Sequence, residues 1–171
     1  KDVSDIPFAS NPGITIISTR NHESLYSNET LLRSVKKLKK LECDIFLLIL
    51  GSGSLTENYK KFVKENELNK IVKFVGRVSN SELPLYLNIS DIYVSCSKSD
   101  GTSVSLLEAM ACKLPVIVTD IPANREWVKE GFNGYFFEKG DSDSLALKIK
   151  LLVEKENTRN FFSDNNHAIA L

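Results

Sequence analysis

Several patterns that would fix a chemistry at once are absent from this sequence. No CxxC pair occurs, and Cys43, Cys96 and Cys112 each stand in apolar surroundings. They read as buried reduced thiols of a cytosolic protein, not as a disulfide framework. The two histidines, His22 and His167, lie far apart with no HxxxH pair, which argues against a zinc centre. Charge of one sign is missing too: Lys and Arg number 22, and so do Asp and Glu. The basic excess of a nucleic-acid binder is therefore lacking. The longest apolar run, Ile45–Leu50, is too short to span a bilayer. No G-x-x-x-x-G-K-[ST] occurs, which excludes a P-loop. "GSGS" (51–54) is half a dinucleotide fingerprint, but Thr56 stands where the third Gly belongs. It reads as a tight turn. The opening "KDVSDIPFASNPG" is polar and broken by Pro and Gly, unlike a signal peptide. The first residue is Lys, so the chain is expected to be a piece of a longer protein.

What is present is an alternation of short β-rich runs with helix-period segments. Strands are expected at 14–18, 44–50, 71–76, 91–97, 115–120 and 134–138. Helices are expected at 28–41, 56–68 and 81–89, then after residue 103, and at 122–131, 142–156 and, weakly, 158–169. Ser81 reads as an N-cap, Gly131 as a helix stop and Asp141 as an N-cap. Six strands separated by helices predict an α/β fold with a doubly wound parallel six-stranded sheet. Right-handed crossovers make 3-2-1-4-5-6 the expected order. Its switch point lies between strands 1 and 4, beyond their carboxyl ends, and ligands bind there.

The stretch "SDGTSVSLLEAMA" (99–111) falls at that switch point. A helix starting near Ser103 would turn its free N–H groups into the crevice and favour an anion. Gly101 and its small hydroxyl neighbours, Thr102 and Ser103, allow a ligand to come close to the backbone. Thr102, Ser105, Glu108 and Cys112 recur at helical spacing as a narrow polar stripe, while Val104, Leu106, Leu107 and Met110 spread over the apolar faces. Glu108 would then face the crevice wall, where a carboxylate can accept two hydrogen bonds from a vicinal diol such as a ribose. The alternative for Glu108 is a structural pairing, and for Asp100 a helix cap. Arg20, just after the first strand, suits phosphate oxygens or else lies on the surface.

Asp100, the small-residue turn and Leu107–Ala111 resemble the E-x7-E element of retaining family-4 (group 1) glycosyltransferases of the GT-B fold. Asp replaces the first Glu, with the spacing kept. "FVGRVSNSELPLYLNISDIYVSCS" and "KLPVIVTDIPANREWVKEGFNGYFFEKGDSDSLA" resemble neighbouring segments of that family in the same order. The likeness covers about residues 6–156 and implies a Rossmann-like C-terminal donor domain, one half of a GT-B enzyme.

The resemblance implies that the ligand is a nucleotide-diphosphate sugar, UDP- or GDP-linked, used as substrate with no cofactor and no metal. It implies that Glu108 holds the ribose and that Asp100 meets hydroxyls of the sugar. Gly101, Thr102, Ser103 and Val104 would lie against sugar and diphosphate. Arg20 would neutralise the diphosphate, and Gly76, Arg77 and Val78 would pass the base. Arg20, Asp100 and Glu108 would be the catalytic set. The family's usual second phosphate contact, a Lys five or six residues after the Arg, is replaced by Leu25 and Tyr26. Lys98 and His22 are the candidates to compensate. Thr102 stands where the family often has an aromatic.

The acceptor would bind an N-terminal domain outside these residues. Residues 1–13 are expected to be the linker from it, residues 14–171 the donor domain, and the terminal crossing helix to lie beyond. The enzyme would be a cytoplasmic hexosyltransferase, at most peripheral to a membrane through that absent domain. The donor half would be inactive alone. A nonhydrolysing sugar-nucleotide epimerase and a non-catalytic nucleotide-sugar module are the alternatives, and the absent fingerprint disfavours an oxidoreductase.

Overall fold

The computed structural model describes residues 6, 7, 10 and 12–170. The expected linker 1–13 lies largely outside them. Ile6 is described, and it is buried against the core.

Six parallel strands form one sheet: β1 (Ile14–Ser18), β2 (Ile45–Leu50), β3 (Val72–Gly76), β4 (Ile92–Ser95), β5 (Val116–Thr119) and β6 (Gly134–Phe137). Their order is β3-β2-β1-β4-β5-β6, as the sequence predicts. The helices are α1 (Asn28–Lys40), α2 (Thr56–Glu65), α3 (Leu83–Asn88), α4 (Val104–Ala111), α5 (Pro122–Arg125), α6 (Ser142–Glu154) and α7 (Glu156–Ala170). The strands read as nearly unbroken apolar runs because both faces of the sheet are covered. Successive residues feed opposite cores. Ile16, Leu47, Ile49, Ile92 and Val94 pack with α1, α2 and α6. Ile17, Leu48, Leu50, Tyr93 and Val118 pack on the face covered by α3 and α4. A period of two dividing into two apolar sets is what a double-sided parallel strand requires.

Three local expectations change. The helix expected at 122–131 stops at Arg125. The side chain of Asn133 takes over the backbone beyond it: Oδ1 accepts from Lys129 N at 2.7 Å and Nδ2 donates to Trp127 O at 2.9 Å. Such side-chain bonds compete with a helical ladder. Gly131, at φ 73°, turns the chain after that loop, not at a helix end. Ser81 is not the cap of α3; Glu82 is. Pro84 has no N–H, so it fits only the first turn and sets the start at Leu83. The last helix is longer than its weak pattern suggests, and the buried Asn166 fixes it. Asn166 Nδ2 donates to Leu114 O at 2.7 Å and Asn133 O at 2.8 Å, and Oδ1 accepts from Asn133 Nδ2 at 2.9 Å.

Asp141 does cap α6: Oδ1 accepts from Asp143 N and Ser144 N, each at 2.9 Å. Asp141→Ala leaves those donors to water. It is expected to cost about 1 kcal/mol of stability, read as a lower denaturant midpoint with unchanged slope. No change would show that the cap is redundant.

Candidate active site

The loops after β1, β2, β3 and β4 meet at the carboxyl end of the sheet. The loop after β1 is pinned by Asn28, the first residue of α1, whose Nδ2 donates to Arg20 O at 3.3 Å and Asn21 O at 3.2 Å. Gly51 N donates to Gly76 O at 2.7 Å and joins the next two loops. Both glycines have positive φ, 92° and 84°, which favours Gly at these turns. A Cβ at Gly51 would also come within 3.1 Å of Arg20 O. A cavity of about 230 Å³ opens over these loops. Its walls include Thr19, Asn21, Gly51, Arg77, Val78, Asn80, Ser105 and Glu108.

Arg20 and Asp100, assigned separate tasks in the sequence, form one ion pair: Nη2 to Oδ2 is 2.6 Å. Their side chains are only 10 and 15 % exposed. Arg20 Nη1 donates to Ser105 Oγ at 2.7 Å and, more weakly, to Ser103 Oγ at 3.4 Å. Tyr93, buried in β4, donates its hydroxyl to the same Ser105 Oγ at 3.0 Å. Tyr26 lies with its ring centroid 4.3 Å from the guanidinium carbon. So one of the positions where the resemblance calls for Lys holds a ring that seats the Arg. Arg20 Nε is buried and has no hydrogen-bond partner among the described residues.

Glu108 is half-buried on α4 and lines the cavity. Burial pushes its carboxyl above the usual range. Among the described residues it has no ion pair and no hydrogen bond, so the structural pairing open in the sequence is not found. Ser103 is buried at the N-cap of α4, and its side chain makes no capping bond. Gly101 and Thr102 are exposed beside it. The backbone N–H groups of Gly101, Thr102 and Ser103 donate to no acceptor among the described residues. Val104, 63 % exposed, lies apart from the apolar packing of its helix. Arg77 is held by Ser52, Nε to Oγ 2.9 Å, at the cavity rim.

His22 cannot substitute for the Lys. It is buried, with Nδ1 2.8 Å from Thr56 Oγ1 and Nε2 3.3 Å from Leu50 O. Tyr59 and Phe74 meet the ring edge-on. Thr56, which breaks the glycine fingerprint, is therefore the partner that holds His22. Burial pushes the His22 pKa below its ordinary value. The unfolded chain then takes up a proton near pH 6.5 before the native state does. The stability His22 contributes is full above that pH and is lost as pH falls through the lowered native value. Wild type is expected to lose stability as pH falls below about 6.5, and His22→Gln to show a flatter profile there, by denaturant midpoints. Parallel profiles would assign the loss to other groups. Lys98 is exposed and makes no side-chain bond among the described residues, so it stays available.

Asp141 and Asp143 form a D-x-D pair in the sequence. Asp141 is the α6 cap, and Asp143 pairs with Lys37 at 2.5 Å. Among the described residues no group of three or more His, Cys, Asp or Glu could hold a metal ion. The three thiols are free, Cys96 buried and the other two half-buried. A larger cavity, about 550 Å³, opens beside β6. Most of its charged groups are paired, Arg125 with Asp120 and Glu130 with Lys148, and Glu138 also lines it. The switch-point cavity is the better candidate because it lies at the carboxyl ends of the strands where the order reverses and is lined by Glu108, a half-buried carboxylate with no side-chain partner among the described residues.

The sequence did not single out Tyr93, Asn21 or Asn28, and it read Gly51 only as part of a tight turn. Tyr93 carried a usable signal, because a Tyr in an apolar strand needs a buried partner for its hydroxyl.

Residues 9–168 match the family model described as glycosyl transferases group 1. The chain is 35 % identical over 121 residues to the N-acetyl-alpha-D-glucosaminyl L-malate synthase of Bacillus anthracis, covering 70 % of this chain and 31 % of that protein. It superposes on HepE from Anabaena, solved with UDP and glucose, with a TM-score of 0.85 and 19 % identity, over 92 % of this chain and 43 % of that one. It also superposes on the C-terminal domain of LpcC, a glycosyl transferase group 1 family protein from Francisella tularensis. There the TM-score is 0.84 and the identity 25 %, over 92 % of this chain and 85 % of that one. The chain spans about a third of the length of the curated relatives it matches.

Proposed function

The chain belongs to the group 1 glycosyl transferases, and from that premise we propose that it is the C-terminal, donor-binding half of a retaining family-4 glycosyltransferase. The likeness to an isolated C-terminal domain from the same family supports the placement. The observation that carries the reading is Glu108: a half-buried carboxylate on an apolar helix, unanswered among the described residues and lining the switch-point cavity. Leaving such a charge without a partner costs stability, so its place is explained by what binds there. A ribose diol would supply two donors. The nucleobase would lie along Gly76, Arg77 and Val78, and the diphosphate at Arg20 and the N-terminus of α4.

In transfer, negative charge grows on the leaving diphosphate. Arg20 would meet it with its guanidinium and would loosen its grip on Asp100 as it did so. Asp100 would then be free to accept from the donor sugar's hydroxyls. Preorganised donors of this kind contribute about 3 kcal/mol each to a transition state. Tyr26, Ser105 and Tyr93 hold the guanidinium in place beforehand. The acceptor, its binding domain and the overall transfer belong to the whole enzyme. The family membership favours transfer over the epimerase reading.

A thermal-shift series with UDP-, GDP- and ADP-glucose tests the site. UDP is the first choice because HepE was solved with it. A ligand at a hundredfold excess over its Kd adds about 2.7 kcal/mol to native stability. At least one nucleotide sugar should raise the melting temperature while glucose alone does not. No shift with any of the three would contradict the proposal.

A further inference from the structure

A cluster of cations lies on the outer side of α1 and α6. Arg33, Lys36, Lys37 and Lys40 recur at helical spacing along one face of α1. With Ser142 and Phe62 they line a cavity of about 240 Å³. A neighbouring cavity of about 300 Å³ shares Lys37 and Lys40 and adds Leu41, Leu147 and Lys150. None of these residues lines the switch-point cavity.

The charge here is only partly answered. Arg33 pairs with Glu29, Lys37 with Asp143 and Lys150 with Glu154, each at 2.5 Å. Lys36 and Lys40 have no ion pair and no hydrogen bond among the described residues. The whole chain is electrically balanced, so this crowding is a local asymmetry that an external anion would relieve. Two apolar tips stand among the cations: Leu41 is 57 % exposed and Leu147 63 %. Cations beside protruding leucines match both layers of a lipid surface, the anionic headgroups and the acyl chains beneath. A nucleic acid or a free phosphate would use the cations and leave both leucines in water.

We propose that the α1–α6 face of this domain docks on an anionic bilayer surface. The sequence placed membrane contact in an absent domain; this face brings a contact to the donor domain itself. The geometry is that of a peripheral contact, since no described helix is long and apolar enough to cross a membrane. The proposal does not depend on the nucleotide site.

Vesicle co-sedimentation of the 171-residue chain tests it, with phosphatidylcholine alone or mixed with phosphatidylglycerol. Binding is expected to the mixed vesicles only, and to weaken with salt. Each lysine near such a surface contributes about fivefold. Lys36→Glu with Lys40→Glu should therefore lower partitioning more than tenfold (on the order of two such steps). Neither side chain has a partner to lose, so melting temperature should hold. Leu41→Ser with Leu147→Ser should weaken vesicle binding at high salt, where the cations are screened. Three results would overturn the proposal: no preference for anionic vesicles, unchanged partitioning of the lysine variant, or loss of all binding to inorganic phosphate at millimolar levels. Binding to duplex RNA with no vesicle binding would do the same. Nucleotide-induced thermal shifts of both variants should match wild type, which separates a failure here from a failure at the nucleotide site.

Discussion

Arg20→Ala is expected to weaken binding of a nucleoside diphosphate about a hundredfold, close to 3 kcal/mol, and to leave the bare nucleoside nearly untouched. Two effects add in the same direction. The variant loses a charge-assisted donor at the phosphate. It also leaves Asp100, now paired at 2.6 Å, as an unanswered carboxylate beside an incoming anion. The second effect can be isolated. Arg20→Ala combined with Asp100→Asn should recover part of the lost affinity, because the repulsion is gone while the donor is still absent. Asp100→Asn alone should bind the diphosphate at least as well as wild type, since the guanidinium is released. Calorimetric titration with nucleoside and nucleoside diphosphate checks all four proteins. An equal loss for both ligands would mean that Arg20 acts only by shaping the crevice with Tyr26, Ser103 and Ser105.

The second large effect has opposite signs in the free and bound protein. Glu108→Gln is expected to cost roughly 1–3 kcal/mol of nucleotide affinity, the range of a hydrogen bond to a charged group. The same change should leave the unliganded fold equally stable or slightly more so. Burial raises the Glu108 pKa, so the native state holds this proton more tightly than the unfolded chain does. Stability therefore falls as pH rises from the ordinary carboxylate range through the raised native value. Ionising Glu108 is a burden on the fold, and Gln removes it. A residue that weakens the protein and strengthens its complex is held for binding. Melting curves near pH 7 and titration with a nucleoside diphosphate give the two signs. A large loss of stability would show instead that Glu108 supports the helix.

The sheet was legible because its strands are buried on both sides and bounded by turn residues. Continuous apolar runs such as Ile45–Leu50 leave little freedom in that reading. The right-handed crossover rule then fixed the order, and the order fixed the crevice. The stripe carrying Glu108 was legible for a related reason: a lone acid at helical spacing from Ser105 must face away from the core. What the sequence could not show is how charges combine across the crevice. Arg20 and Asp100 are 80 positions apart, and no local pattern announces that one answers the other. Tyr26 is similar. It reads as a departure from a familiar phosphate contact, and only the fold shows it 4.3 Å from the Arg20 guanidinium. The short α5 escaped because the helix breaker, Asn133, acts from beyond the helix through its side chain. His22 had the outward marks of a phosphate contact, and burial against Leu50 and Thr56 assigns it to the fold.

The central claim is that Glu108 binds a ribose diol in the switch-point cavity. Calorimetric titration of wild type and Glu108→Gln, each with UDP and with its 2′-deoxy form, measures that contact most directly. Removing the 2′-hydroxyl and removing the charge should each weaken binding. Doing both should cost clearly less than their sum, because both changes break the same contact. If the two losses add within about 0.3 kcal/mol, Glu108 does not touch the 2′-hydroxyl and the assignment of the nucleotide site to this carboxylate is wrong.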